Sequence, residues 1–155
     1  MRHFGWSEGN EIYLPLIDAE HCALFELADS LQNAVSAAAA ATELREHLHR
    51  LNAQAEEHFT HEEWLMQSAG YPSYGWHKHQ HDTARRRINL YAPLIEGGDR
   101  EATDAFLEFL CGWLQDHTGL TDRMMGAYLR NYERTHGVRH PEEVHRRREV
   151  RVTRG

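Results

Sequence analysis

Seven residues of this chain offer the two side-chain types from which helical proteins build two-metal sites, imidazole and carboxylate. They fall in four separate stretches of helix-like periodicity: His21, His58, Glu62, His77, His81, His117 and Asp122. This donor set suits iron, manganese, cobalt or zinc, and its lack of thiolate argues against copper(I) or an iron–sulfur cluster. The set therefore predicts a metal centre inside a helical protein.

Two of the four stretches carry pairs of these residues spaced four apart. His58 with Glu62, and His77 with His81, project from one face of a helix, so each pair offers two ligands to one centre. With 13 histidines in 155 residues, a single pair of this kind arises by chance. The joint pattern carries weight because buried acids without charge compensation are costly, whereas a metal ion offsets them.

The fourth stretch contributes His117 and Asp122, which are five residues apart. That spacing places them about 140° apart around an ideal α-helix, an awkward separation for two ligands of one ion. We therefore expect Asp122 to reach from the next turn and, with Glu62, to bridge two ions. Three histidines then remain for one ion and two for the other, which leaves the two-histidine ion with a vacant position.

Two further histidines, His61 and His79, adjoin this set in sequence but lie off the ligand face. For these we expect either exposure to solvent or a supporting hydrogen bond to a ligand.

Four helices are predicted to position the ligands, which makes the chain all-α. The first is expected to run from the N-cap Asp18 to about Ala41, and the second from the cap Thr42 to about Ser68. The third is expected to begin near Tyr74–Trp76 and to reach about Leu90–Glu96, with a kink or an early end at Pro93. The fourth is expected to run from the N-cap Asp99 to His136–Gly137. Short connections between long helices indicate an up-down-up-down antiparallel four-helix bundle. An N-terminal arm precedes it, with Trp6, Ile12, Leu14 and Leu16 as expected anchors.

Charge and composition narrow the class of protein. The net charge is −7; residues 139–155 hold six Arg and three Glu, so residues 1–138 carry −10 and are not expected to bind nucleic acid. We predict a bundle over residues 1–136 and a short basic C-terminal extension over 137–155. No stretch approaches the ~20 apolar residues of a membrane span or resembles a signal peptide. Cys22 and Cys111, both in apolar helical contexts, suit a reducing compartment, so a cytoplasmic location is expected.

The same residues resemble the hemerythrin family, in particular its single-domain bacterial form, bacteriohemerythrin. The resemblance covers about residues 6–130 and depends on three groups of residues: Trp6 and Ile17-Asp18-Ala19-Glu20-His21 followed by Leu24-Phe25; HFTHEEWLMQSAGYPSYGWHKHQH; and Trp113-Leu114-Gln115-Asp116-His117 followed by Asp122. It implies two non-haem Fe ions joined by an oxo or hydroxo group. It assigns His77, His81 and His117 to one iron, His21 and His58 to the other, and Glu62 and Asp122 as bridges.

The resemblance also implies reversible dioxygen binding at the open position of the iron held by His21 and His58. Such a protein stores O₂, delivers it to an oxygen-consuming enzyme, or senses it. The pocket role falls to four residues: Phe59, Trp113, Leu114 and Thr118. Thr118 stands where the family commonly has a bulky aliphatic residue, and Ala84 stands where a larger apolar residue is usual. We expect both to loosen the pocket and to speed autoxidation.

Two other functions remain open at this point. One is a di-iron redox enzyme that decomposes peroxide or reduces NO, which a hydroxyl donor at Thr118 would favour, although a helical threonine usually bonds its own backbone. The other is metal handling, which is disfavoured because histidines outnumber acids five to two, unlike carboxylate-rich iron-storage sites. An oxygen-binding protein needs no catalytic base, and none is evident. The sequence indicates no oligomeric state.

Overall fold

The structure is a computed structural model that describes residues 2–137, and this part of the chain is helical and without strands. Its helices are α1 (Pro15–Ser36), α2 (Ala41–Ser68), α3 (Tyr74–Glu96), α4 (Arg100–Asp116) and α5 (Asp122–His136), with a 3₁₀ turn at Glu8–Asn10 and a π-helical turn at His117–Thr121. The π turn joins α4 to α5, so the three form one fourth helix. Helix α1 packs on α2, α2 on α3, and α3 on α4, and α4 also packs on α1. With such short loops this is the predicted antiparallel four-helix bundle.

The fourth helix begins and ends where the sequence predicts. The side chain of Asp99 accepts a hydrogen bond from the Ala102 N–H at 2.9 Å, as an N-cap does. At the other end Gly137 adopts the left-handed conformation, with φ of 61°, and ends the helix after His136. Residues 138–155 lie outside the described part of the chain, so the basic extension stays a prediction.

The predicted start of the first helix is wrong. Helix α1 begins at Pro15, whose fixed φ suits the first helical position. Asp18 lies in its first turn, where its carboxylate accepts a hydrogen bond from the Ile12 N–H at 2.8 Å and fastens the arm. Similarly, α2 begins at Ala41, one residue before the predicted cap Thr42, and no side chain caps it.

The alanine run ends α1 earlier than helix propensity predicts. The last helical residue is Ser36, and Ala38 adopts a positive φ of 53°. The Ala38 N–H donates to Val35 O at 3.1 Å and the Ala39 N–H to Ala34 O at 3.0 Å, the two hydrogen bonds of a Schellman motif. The chain reverses here because α2 must pack against α1, and alanine occupies a position that glycine adopts without steric cost.

Pro93 does not end α3 early. The helix continues to Glu96, and Pro93 lies in its final turn. A proline there removes one intrahelical hydrogen bond near the terminus.

The N-terminal arm packs along the bundle. Of the predicted anchors, Ile12 and Leu14 are buried, whereas Trp6 and Leu16 are only partly buried. Phe4, which the sequence interpretation did not single out, is also buried. Gly126 of α5 permits the arm to cross closely, because a Cβ there would lie 3.1 Å from Ile12 O.

The bundle interior has two apolar clusters. The first contains, among others, Leu24, Phe25, Leu51, Phe59, Ile88, Phe106 and Leu114. The second contains Ile12, Leu14, Ile17, Leu65, Met66, Ala69, Tyr71, Met125 and Leu129. Between residues 2 and 137, no helix is long and apolar enough to cross a membrane.

Replacing Ala38 with glycine should stabilise the protein. Glycine removes the steric cost of the left-handed conformation, partly offset by a more flexible unfolded chain, so we expect a gain of about 0.5–1 kcal/mol in the free energy of unfolding. Urea unfolding of the metal-free protein measures this. The control Ala39→Gly, next to the left-handed position, should destabilise slightly; equal effects of both changes would contradict the assignment.

Candidate metal centre

The seven residues singled out from the sequence meet in one buried layer, here called the polar layer: His21, His58, Glu62, His77, His81, His117 and Asp122. None of them is more than 2% exposed. The layer lies between the two apolar clusters. On α1, for example, His21 lies between Ile17 of the second cluster and Leu24 of the first. The ligand side chains therefore lie in the middle of the core, between the apolar residues of the same helices.

The ligand atoms of the polar layer form two overlapping groups, in each of which all the atoms lie within 4.8 Å of one another. The larger group contains Glu62, His77, His81, His117 and Asp122, and the smaller contains His21, His58, Glu62 and Asp122. Glu62 and Asp122 belong to both. The structure thus brings the predicted residues together as three histidines and two histidines that share two acids.

Each shared carboxylate turns one oxygen toward the larger group. Glu62 Oε2 lies 3.2 Å from His77 Nε2 and 3.1 Å from His81 Nε2. Asp122 Oδ1 lies 3.1 Å from His77 Nε2 and 3.0 Å from His117 Nε2.

The remaining oxygens face the smaller group. Glu62 Oε1 lies 3.4 Å from His58 Nε2 and 3.5 Å from His21 Nε2. Asp122 Oδ2 lies 3.0 Å from His21 Nε2. This division of oxygens is the arrangement that a carboxylate bridging two cations requires.

The π turn explains how residues five apart serve one centre. The Asp122 N–H donates to His117 O, a hydrogen bond across five residues instead of four. The wider turn brings Asp122 beneath His117, whereas an ideal α-helix would rotate it away. Asp122 therefore does not reach around a regular α-helix, as we expected from the sequence. Instead, the helix widens into a π turn between His117 and Asp122. The unusual five-residue spacing was the sequence signal for it.

Three ring nitrogens of the layer are held from outside by hydrogen bonds that sequence reasoning missed. His58 Nδ1 lies 2.8 Å from Glu20 Oε2, His81 Nδ1 lies 3.0 Å from Glu63 Oε1, and His117 Nδ1 lies 2.9 Å from Gln80 Oε1. Because these acceptors hold the proton on Nδ1, the Nε2 lone pairs point into the layer, as metal binding requires. Each acceptor sits on a different helix from its histidine, so no periodicity within one helix reveals the pairing.

His61 and His79, for which the sequence left both solvent exposure and a supporting hydrogen bond possible, differ in the structure. His61 is buried and its Nδ1 lies 2.7 Å from Glu20 Oε1, so it shares this carboxylate with His58. His79 is exposed. His61 thus has the supporting position and His79 the solvent-exposed one.

The donor set fits cations. His81 Nε2 and His117 Nε2 lie 3.1 Å apart, and with both Nδ1 atoms donating outward their lone pairs face each other. Moreover, Glu62 Oε1 and both Asp122 carboxylate oxygens are buried and make no hydrogen bond to any described residue. A positive ion between these atoms would remove the repulsion and compensate the buried negative charge.

The pKa shifts of the histidines and carboxyl groups in the polar layer also indicate that positive charge is favoured there. Burial opposes a charge on His21, but the carboxylates of Asp122 and Glu62 outweigh it and raise its pKa to about 10. The same balance raises the pKa of His77 to about 9. Burial likewise opposes ionisation of Glu62 and Asp122, yet the surrounding imidazoles hold the pKa of both carboxyls well below the usual range. A metal ion that entered the layer would therefore compete with protons for His21 and His77.

Aromatic rings cover the layer on the side of the first apolar cluster. Phe59 stacks on His81 with ring centroids 4.3 Å apart, and Trp113 stacks on His117 at 4.2 Å. Next to them is an apolar cavity of about 20 Å³, lined by Leu24, Leu51, Ala55, Phe59, Ala84, Ile88, Phe109, Leu110, Trp113 and Leu114. That space holds about one molecule the size of water.

Three of the four predicted pocket residues line this cavity and Thr118 does not. Thr118 is buried, and its hydroxyl donates to Leu114 O at 2.7 Å, which satisfies it within its own helix. Ala84, the other departure from the family pattern, does line the cavity.

A helical bundle with a cation-binding layer at its centre defines a class of protein, and comparison with known families agrees with it. The family model described as the hemerythrin HHE cation binding domain matches residues 14–129. The chain therefore belongs to the hemerythrin family.

Similar proteins include several named bacteriohemerythrin. The protein from Stenotrophomonas maltophilia is 27% identical over 135 residues, covering 84% of this chain and 87% of its own. The protein from Pseudomonas aeruginosa is 28% identical over 117 residues, covering 76% of this chain and 75% of its own. The one from Methylococcus capsulatus is 27% identical over 115 residues, covering 72% and 85%. The resemblance found in the sequence is confirmed at the level of the family.

Replacing Gln80 should weaken metal binding without touching a ligand. Its side-chain oxygen accepts from His117 and also from the Thr121 hydroxyl at 2.9 Å, so it holds both the ring and the π turn. Gln80→Leu leaves these donors unpaired, and we expect metal affinity to fall roughly 10–100-fold. Gln80→Glu keeps an acceptor, and its carboxylate makes His117 a stronger donor, so this variant should bind metal at least as tightly as the parent does. Chelator competition measures both affinities, and a Gln80→Leu value equal to that of Gln80→Glu would contradict this role.

Proposed function

We propose that this protein binds dioxygen reversibly at a non-haem di-iron centre in the polar layer. The observation that carries the proposal is the division of seven buried residues into two groups that share Glu62 and Asp122. His77, His81 and His117 hold one iron, and His21 and His58 hold the other. When bound, the iron pair supplies the electrons and the open coordination position that O₂ requires.

The unequal histidine count supports one assignment of the O₂ position. With the two shared carboxylates, the larger group offers five protein ligands and the smaller group four. The ion held by His21 and His58 thus has one fewer protein ligand, and we assign the O₂ position to it. Leu24, one turn beyond His21 on α1, lines the apolar cavity.

The pocket residues exclude water. Phe59, Trp113 and Leu114 present apolar surface to the cavity, and its size suits a diatomic molecule better than a larger substrate. A dry pocket slows protonation and displacement of a bound ligand, which favours reversible binding over turnover.

The alternative of a di-iron redox enzyme was favoured by a possible hydroxyl donor at Thr118, and this donor is not available to a substrate. The hydroxyl of Thr118 donates to Leu114 O, so it is engaged in its own helix instead of being directed at a substrate. We therefore retain storage, delivery to an oxygen-consuming enzyme, or sensing as the roles of the protein. The thiols of Cys22 and Cys111, neither of which forms a disulfide, support a cytoplasmic location.

Oxygen binding is tested with iron-loaded protein that is reduced without air and then exposed to O₂. We expect two irons per chain and a visible absorption band that appears with O₂ and disappears when O₂ is removed. His58→Ala should abolish the band because it removes a ligand of the open iron, whereas the exposed His79→Ala should preserve it.

Three outcomes would contradict the proposal. They are fewer than two irons per chain, irreversible oxidation without a reversible band, and sustained turnover of peroxide or NO.

Ala84 should control how long the oxygenated protein lasts. Ala84→Val places two more carbon atoms in the cavity, so less water reaches the iron pair and autoxidation should slow several-fold. Thr118→Val has a similar size but lies outside the cavity, and we expect little change. Decay of the O₂-dependent band in air measures the rate. A larger effect at Thr118 than at Ala84 would contradict this view of the pocket.

A further inference from the structure

Arg85 joins three carboxylates at the edge of the polar layer. Its Nη1 donates to Glu63 Oε1 at 2.7 Å and to Asp82 Oδ1 at 2.8 Å, and its Nε donates to Glu56 Oε2 at 2.9 Å. The Arg85 side chain is 21% exposed, so the guanidinium is held largely within the protein. This fixed positive charge lies one turn beyond His81 on α3.

Arg85 reaches His81 through a single oxygen atom. Glu63 Oε1 accepts the hydrogen bond from Arg85 and also lies 3.0 Å from His81 Nδ1. A carboxylate that accepts a hydrogen bond from the Nδ1–H group makes the imidazole a stronger electron donor at Nε2. Because the cation shares that oxygen, it limits the negative charge that Glu63 presents to the ring.

A second contact leads from Arg85 to the same ring. The guanidinium lies 5.2 Å from the centroid of Phe59, and Phe59 stacks on His81 with 16° between the ring planes. Arg85 therefore supports both the hydrogen-bond partner and the stacking partner of His81.

The other outer partners of the layer have a different charge. Gln80, which holds His117, is neutral, and Glu20 accepts from two histidines, His58 and His61. Of these three outer partners, Glu63 is the one paired with an arginine. The environment of His81 is thus set apart from those of His58 and His117.

We propose that Arg85 is a positioning residue that, through Glu63, fixes the His81 ring and sets its strength as an electron donor to the metal centre. This inference depends on the iron centre proposed above. Without Arg85, the full charge of Glu63 acts on the Nδ1 proton, and His81 becomes more electron-rich. The oxidised state of the centre is then favoured, so its midpoint potential falls.

The test is a redox titration of the full-length iron-loaded protein followed by its visible spectrum. In Arg85→Gln we expect the ratio of oxidised to reduced protein at a fixed ambient potential to rise roughly tenfold, about 59 mV for one electron. Arg85→Lys keeps the charge and should restore most of the parent potential. Arg86→Gln, an exposed neighbour that contacts Thr83, is the matched control and should not change it.

A double substitution separates this role from a merely structural one. In Glu63→Gln the carboxylate charge is gone, so adding Arg85→Gln should shift the potential little further. The inference is overturned if Arg85→Gln behaves like Arg86→Gln, if Arg85→Lys fails to restore the potential, or if the full shift persists in the Glu63→Gln background. Failure of the parent protein to take up iron would instead refute the proposed function, and the inference with it.

Discussion

The rest of the structure depends on one constraint: the carboxylates of Glu62 and Asp122 are fully buried, and their charge must be compensated. A charged group in an apolar interior costs several kcal/mol unless opposite charge and hydrogen bonds compensate it. Five imidazoles surround the pair, and each carboxylate directs one oxygen to each histidine group. Burial opposes a charge on His21 and His77, but the carboxylates raise the pKa of both rings, which favours protonated imidazoles that offset part of the charge; cations would offset it more completely. The apolar clusters on either side make that compensation necessary, because they exclude water from the layer.

The same constraint explains the irregular point in an otherwise regular bundle. A π turn is rare, appears mostly as a single turn inside an α-helix and is frequently found at functional sites. Here it is retained because it brings Asp122 and His117 to one centre, and the Thr121 hydroxyl joins it to Gln80 on α3. Outer hydrogen bonds to three of the five rings hold them from neighbouring helices. Local irregularity and cross-helix support thus serve one purpose, which is to aim ligand atoms at a shared point.

Much of this arrangement follows from local sequence. Helical periodicity predicts four helices, and pairs four residues apart, such as His77 and His81, must share a face in any helix. The Asp99 cap and the Gly137 stop are correct because capping depends on a few neighbouring residues. The sequence also indicates where the helix departs from ideal geometry, because the five-residue spacing of His117 and Asp122 does not fit two ligands of one centre on an ideal α-helix.

Packing between helices decided what local sequence could not. Ala38 takes a left-handed conformation because α2 must turn back on α1, and helix propensity alone favours continuing the helix. Glu20 and Glu63 look like ordinary helix-surface residues until another helix brings a histidine to each. Periodicity records which face a side chain occupies on its own helix, but distances between helices depend on the whole core. The sequence by itself therefore determined the donor set and the helices that carry it. Only the tertiary structure decided the π turn, the hydrogen-bond partners and the place of Arg85.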